Sequence, residues 1–99
     1  MEKPFREEQL EQLFRGILTL QTPEECRLFF KDLCTTSELQ EMSRRLHAAR
    51  MLHRNRAYGD ISEDTGLSTA TISRVNRALR HGYGYVTILD RLEKMERRR

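Results

Sequence analysis

The stretch YGDISEDTGLSTATISRVNRAL, from Tyr58 to Leu79, decides how the rest of the chain is read. Its apolar residues fall at Ile61, Leu67, Ile72 and Val75. A short helix holding Ile61 ends at Gly66, because glycine accepts the left-handed backbone that stops a helix. Leu67 then lies in a turn, and Ser68 caps a second helix by accepting from a backbone N–H of its first turn. Ile72, Val75 and Leu79 follow at spacings of three and four and form one buried stripe. The other face carries Thr69, Ser73, Arg74, Arg77 and Arg80 and no acid. This pattern predicts a helix-turn-helix. The second helix would lie in a major groove with its N-terminal residues at base edges. Small Thr69, Ala70 and Ser73 permit close approach, and Arg74 and Arg77 can reach guanines or phosphates. The competing reading is an ordinary helical hairpin with a solvated basic face. It accounts less well for the small Ser62, the turn glycine and the apolar spacing occurring together.

Outward from this motif, charge is unevenly spread. Residues 1–41 hold five bases and nine acids, net −4, while residues 42–81 hold eight bases and three acids, net +5. The basic part contains the motif, as a surface meeting phosphates requires. At 99 residues the chain is expected to form one domain. With 37% hydrophobic and 33% charged residues, a lone copy has little apolar surface to bury, which favours a homodimer. No apolar run approaches the roughly 18 residues of a membrane helix. The stretch MEKPFREEQL lacks a signal-peptide core, so a cytoplasmic protein without membrane contact is expected. Cys26 and Cys34 have no metal-ligand spacing and read as small apolar residues in a reducing compartment.

The remaining segments read as helices. Pro4 suits a first helical turn, and Leu10, Leu13, Phe14, Ile17 and Leu18 make an amphipathic helix of about four turns ending near Leu20. Gly16 weakens that helix and would let another helix approach closely. Thr22-Pro23-Glu24-Glu25 is a capping box opening a helix with Cys26, Phe29, Phe30 and Leu33 on one side. A second capping signal at Thr35–Glu38 opens the longest helix, whose apolar stripe is Leu39, Met42, Leu46, Ala49, Leu52 and His53. His47 and His53 are six apart and cannot share a face as a metal pair. His81 to Tyr85 reads as a flexible aromatic connection, followed by a closing helix with Val86, Ile88, Leu89, Leu92 and Met95 and a frayed tail to Arg99. No strand is expected, so the fold class is all-α.

The order of helices, with Thr36–Glu38, the Met42–Leu52 helix and GLSTATISRVNRAL (Gly66 to Leu79), resembles the Trp repressor family, most closely its YerC/YecD branch. Thr71-Ile72-Ser73-Arg74 is the most specific piece. The resemblance implies an intertwined helical homodimer that binds double-stranded DNA as a transcriptional regulator, expected to be a repressor, on a near-palindromic operator. It implies N-terminal dimerisation helices over 1–35, a core helix over 36–55, the helix-turn-helix over 58–80 and a closing helix over 86–96. The expected DNA-facing set is Tyr58, Gly59, Ser62, Ser68, Thr69, Ala70, Thr71, Ser73, Arg74 and Arg77. In the family an indole sits between two arginines, beside a glycine and a serine. Here Arg74 fills one arginine position and Arg45, or Arg44, the other, but the glycine position holds Val75 and the serine position Ala78. Tryptophan is therefore not expected to bind tightly, and no cofactor is expected. Two alternatives remain: a regulator gated by another small ligand at Arg45 and Arg74, and a protein-interaction module that keeps the fold. An enzyme is not expected, since no nucleophile–histidine motif, glycine-rich phosphate loop or metal-ligand spacing occurs.

Overall fold

The computed structural model describes residues 3–98. Six helices follow one another: α1 (Glu7–Leu18), α2 (Pro23–Leu33), α3 (Thr36–His53), α4 (Tyr58–Thr65), α5 (Thr69–His81) and α6 (Gly84–Arg97). There is no strand among the described residues, and no helix among them is long and apolar enough to cross a membrane. The all-α expectation holds, with shifted ends. Pro4 lies outside α1, which starts after Arg6 and ends at Leu18 rather than Leu20. The core helix ends at His53 rather than at residue 55, α5 runs to His81, and α6 spans Gly84–Arg97 rather than 86–96.

The chain divides into two compact units, the boundary falling between Thr36 and Ser37. In the first, Thr22 Oγ1 accepts from the Glu25 N–H at 3.1 Å, and the Glu25 carboxylate accepts from the Gln21 N–H at 2.8 Å. The capping box thus closes, with its acid reaching one residue further back than usual. The Phe29 and Phe30 rings meet edge to face at 5.3 Å. α1 and α2 share an open recess of about 480 Å³ lined by Gln9, Gln12, Leu13, Gly16, Phe29 and Leu33. Neither helix has a buried residue. Leu18 is 83% exposed and Leu28 68%. Outside its own helix backbone, nothing lies within 4 Å of where a Cβ on Gly16 would sit, so no close helix approach is made there among the described residues.

The second unit holds the core: Ala48, Ala49, Met51 and Leu52 of α3, Ile61 of α4, Leu67, Ile72, Val75 and Leu79 of α5 and the turn before it, and Leu89 of α6. Only the C-terminal half of the α3 stripe is buried; Leu39 and Met42 remain 36% and 43% exposed. α3 ends in a Schellman turn. The Arg56 N–H reaches the Met51 carbonyl at 3.0 Å and the Asn55 N–H the Leu52 carbonyl at 3.0 Å, with Asn55 left-handed at φ 60°. Asparagine is among the few non-glycine residues that adopt this conformation readily.

The link between α5 and α6 is only Gly82-Tyr83, not the flexible five-residue connection that the glycines indicate. Gly82 is extended, and its N–H donates to the Ala78 carbonyl at 2.9 Å. A Cβ there would stand 2.8 Å from that same backbone oxygen. Gly82→Ala is expected to lower stability by about 1–3 kcal/mol, the usual cost of overpacking. Gly84, where an added Cβ meets nothing within 4 Å, should gain roughly 0.4–1 kcal/mol as alanine through reduced freedom of the unfolded chain. Thermal unfolding of both variants checks the contrast. The tail expected to fray is helical through Arg97, and Glu96 pairs with Arg50 of α3; Arg99 lies outside the described residues.

Candidate nucleic-acid interface

The helix-turn-helix is built from short-range chemistry. Gly66 ends α4 at φ 73°, in the left-handed region, and its N–H bonds the Ser62 carbonyl at 2.8 Å. Leu67 tucks its side chain into the core at 6% exposure. Two hydroxyls of α4 hold the turn around it. Ser62 Oγ donates to the Leu67 carbonyl at 2.9 Å. Thr65 Oγ1 donates to the Ile61 carbonyl at 2.7 Å and accepts from the Leu67 N–H at 3.2 Å. Thr65, buried at 7% exposure, is the residue that sequence reasoning missed here. A polar residue ahead of a turn glycine is a weak signal until its burial is known. Ser68 then caps α5, its Oγ accepting from the Thr71 N–H at 3.1 Å and touching Thr71 Oγ1 at 3.1 Å.

These bonds sort the expected DNA-facing residues. Gly59, Thr69, Ala70, Arg74 and Arg77 are exposed, as is Ser68 at the cap. Ser73 is half-buried. Tyr58 packs against the core, and Ser62 commits its hydroxyl to the turn. Thr71 is half-buried beside the cap. The structure therefore brings Ser68, Thr69, Ala70, Ser73, Arg74 and Arg77 onto one helix and its cap, while Tyr58 and Ser62 are partly occupied in holding α4.

Unlike its neighbours α4 and α6, α5 carries no acid. Asp60 pairs with Arg56, Asp64 with His47, Asp90 with His53, Glu93 with Arg97, Glu96 with Arg50 and Glu41 with Arg45. Arg80 serves α3 and its own helix: it donates to Asn76 Oδ1 at 3.2 Å and to the Leu52 carbonyl at 3.4 Å, bracing the α3 C-terminus. It does not belong with Arg74 and Arg77 on an available basic face. Those two arginines, on a helix without acids, have no carboxylate partner among the described residues. Exposed ion pairs add little stability individually. Their arrangement matters for the surface potential, because it leaves uncompensated charge on the helix with the small residues.

Beside that face lies a recess of about 110 Å³ lined by Arg45, Thr71, Arg74, Val75, Ala78 and Tyr85. The four positions compared with the indole site of the family are thus brought together. Val75 is only 4% exposed and belongs to the core stripe, and Arg45 is engaged by Glu41 at 3.3 Å. Pockets that enclose a drug-sized ligand measure roughly 300–1,000 Å³, several times this recess. No group of three or more metal-ligating side chains gathers among the described residues.

Comparison with known proteins agrees with this architecture. The uncharacterized protein YerC of Bacillus subtilis (strain 168) is 49% identical over 92 residues, covering 92% of this chain and 88% of that relative. The crystal structure of a TrpR-like protein from Eubacterium eligens ATCC 27750 superposes with a TM-score of 0.84 at 48% identity, over 87% of this chain and 90% of that one. A second solved structure, from Staphylococcus aureus, matches equally well, with a TM-score of 0.84, 48% identity and 89% of each chain covered. The family model described as Trp repressor protein matches residues 8–93. By sequence and by fold, the chain belongs to the Trp repressor family, in its YerC-like part.

Proposed function

We propose that the protein is a sequence-specific DNA-binding transcriptional regulator, a repressor that reads a near-palindromic operator as a homodimer. One observation carries the reading. The cations Arg74 and Arg77 share the exposed side of α5 with Thr69 and Ala70, on a helix that carries no acid. Phosphate contacts from the arginines supply salt-dependent affinity, and the short side chains near the N-terminus of α5 supply discrimination. Ser68, Ser73 and Thr71 border this surface, and Tyr58, Gly59 and Ser62 approach the backbone from α4.

The homodimer rests on apolar surface. Phe14, Leu18, Leu28 and Leu33 of the first unit, and Leu39, Met42, Ile88 and Met95 of the second, are all exposed in a single chain. That surface needs a cover, and a second copy supplies it symmetrically. Tryptophan is not the effector in this reading. Val75, where the family has glycine, lines a recess of only about 110 Å³, Arg45 pairs with Glu41, and Arg74 is left for phosphate. Isothermal titration with tryptophan is expected to show no saturable heat at millimolar concentrations, and binding in the micromolar range would refute this part.

The function is tested by selecting sites from a random duplex pool, with and without tryptophan. The expected result is a palindrome whose half-sites lie one helical turn apart, about 34 Å, enriched equally in both arms. No preferred sequence over random duplex at moderate salt would overturn the reading.

A further inference from the structure

Arg74 and Arg77 do not complete the exposed ridge of α5. Ala70, Arg74, Arg77 and His81 are all exposed and follow at spacings of four, three and four, one line along the helix. His81 sits in the last turn of α5, because the helix continues up to the Gly82 junction. We propose that His81 is a DNA-phosphate contact at the far end of this ridge, one whose strength follows the protonation of its imidazole. The inference rests on the DNA-binding reading and extends it.

Length is the first reason. From Ala70 to His81 the helix rises about 16 Å at 1.5 Å per residue. The major groove is about 12 Å wide. A helix with its first residues at base edges therefore carries its last turn out to the sugar-phosphate rim. A side chain there meets phosphate and not a base edge, so its contribution is insensitive to sequence.

Charge is the second reason. No carboxylate claims His81 among the described residues. Its nearest ridge neighbour on α5 is Arg77, one turn back. On α4, Asp60 pairs with Arg56, Asp64 lies 3.9 Å from His47, and Glu63 is exposed without a cationic partner among the described residues. On α6, Asp90, Glu93 and Glu96 are held by His53, Arg97 and Arg50. On α3, Glu41 pairs with Arg45, and Glu38 has an interaction of its own. The other two histidines each face an aspartate, at 3.9 Å in both pairs, whereas a proton on His81 adds to the field of Arg77 and Arg74. Arg80, the adjacent cation, is turned to the Leu52 carbonyl. Imidazole changes charge between about pH 5 and 8. Phosphate favours the protonated form, so the bound state holds the proton more tightly and affinity rises as pH falls.

The test uses a duplex of arbitrary sequence, since a rim contact needs no operator. Affinity of the full chain is measured by fluorescence anisotropy at pH 6 and pH 8 and constant ionic strength, with salt titrations at each pH. The wild type is expected to bind about three- to tenfold more tightly at pH 6, with a log–log salt slope steeper by about one per protomer, the effect of one added phosphate contact. His81→Gln should remove both differences, and His81→Arg should keep the tight binding at both pH values. Circular dichroism and thermal unfolding should leave both variants unchanged in fold, since the side chain is exposed. A His81→Gln protein that retains the pH dependence would overturn this inference alone. A wild type that binds no duplex, even at low salt, would overturn the DNA reading and this inference with it.

Discussion

Thr69→Asp combined with Ser73→Asp is expected to abolish duplex binding while the protein keeps its helical content. Thr69 is the first residue of α5, next to the Ser68 cap, and Ser73 lies one turn further along. An aspartate at a helix N-terminus is favoured by the helix dipole, so the first change costs little in stability and supplies a small gain. Against DNA the same charges face phosphates and base acceptors. Removing a well-made base contact costs about 1–3 kcal/mol per position, and placing an anion there adds repulsion, so the pair should lose at least about a hundredfold. Arg74→Ala provides the graded counterpart. It should reduce the salt slope by about one, the effect of one phosphate contact, with a nearly unchanged melting temperature. A melting temperature that drops steeply in Arg74→Ala would make that arginine structural, as Arg80 is. Retained duplex binding in the double aspartate variant would move the DNA interface off α5 altogether, whereas a protein partner captured equally well by wild type and variant would favour a protein-interaction role for the fold.

What the sequence makes legible follows from the range of the forces involved. The helix-turn-helix is encoded locally. Gly66 meets a left-handed φ, Ser68 a cap and Ile72, Val75 and Leu79 one stripe, so each signal acts within four residues of its effect. The ends of the core depend on tertiary surroundings. Ala48 and Met51 are buried, while Leu39 and Met42 of the same helix are not. Helical periodicity treats the length of α3 uniformly, but the core it shares with α4, α5 and α6 takes in only its C-terminal half. Arg80 shows the same limit at a single residue. A helical wheel places it near the basic face, yet its guanidinium reaches a carbonyl 28 residues earlier in the chain. Gly82 shows the limit for a related reason. Glycine beside aromatic residues reads as freedom, whereas here it serves a close approach between an amide turn and the Ala78 carbonyl. That difference moves His81 from a connection onto the exposed ridge of α5.

Phe29→Asp is expected to dissociate the proposed homodimer. Phe29 is half-buried, lies edge to face with Phe30 and lines the recess between α1 and α2. No residue of α1 or α2 is buried in a single chain, so the two helices leave apolar surface open to a partner. In the homodimer reading a second copy covers this face, and each interface contains two copies of the ring. Losing a buried phenylalanine forfeits roughly 1.5–3 kcal/mol, and an unpaired carboxylate taken out of water costs several kcal/mol more. Both terms are counted twice across a symmetric pair. Sedimentation equilibrium should then find monomer at concentrations where the wild type is dimeric. Helicity should fall by no more than the share of α1 and α2, because the core of the second unit contains no residue of either helix. Tight operator binding should vanish, since a monomer presents one recognition helix, while weak salt-dependent binding to any duplex should persist. An unaltered dimer would place the interface elsewhere, with the exposed apolar residues of α3 and α6 as the next face to mutate. Complete loss of helicity would instead show that the second unit depends on the first for its stability.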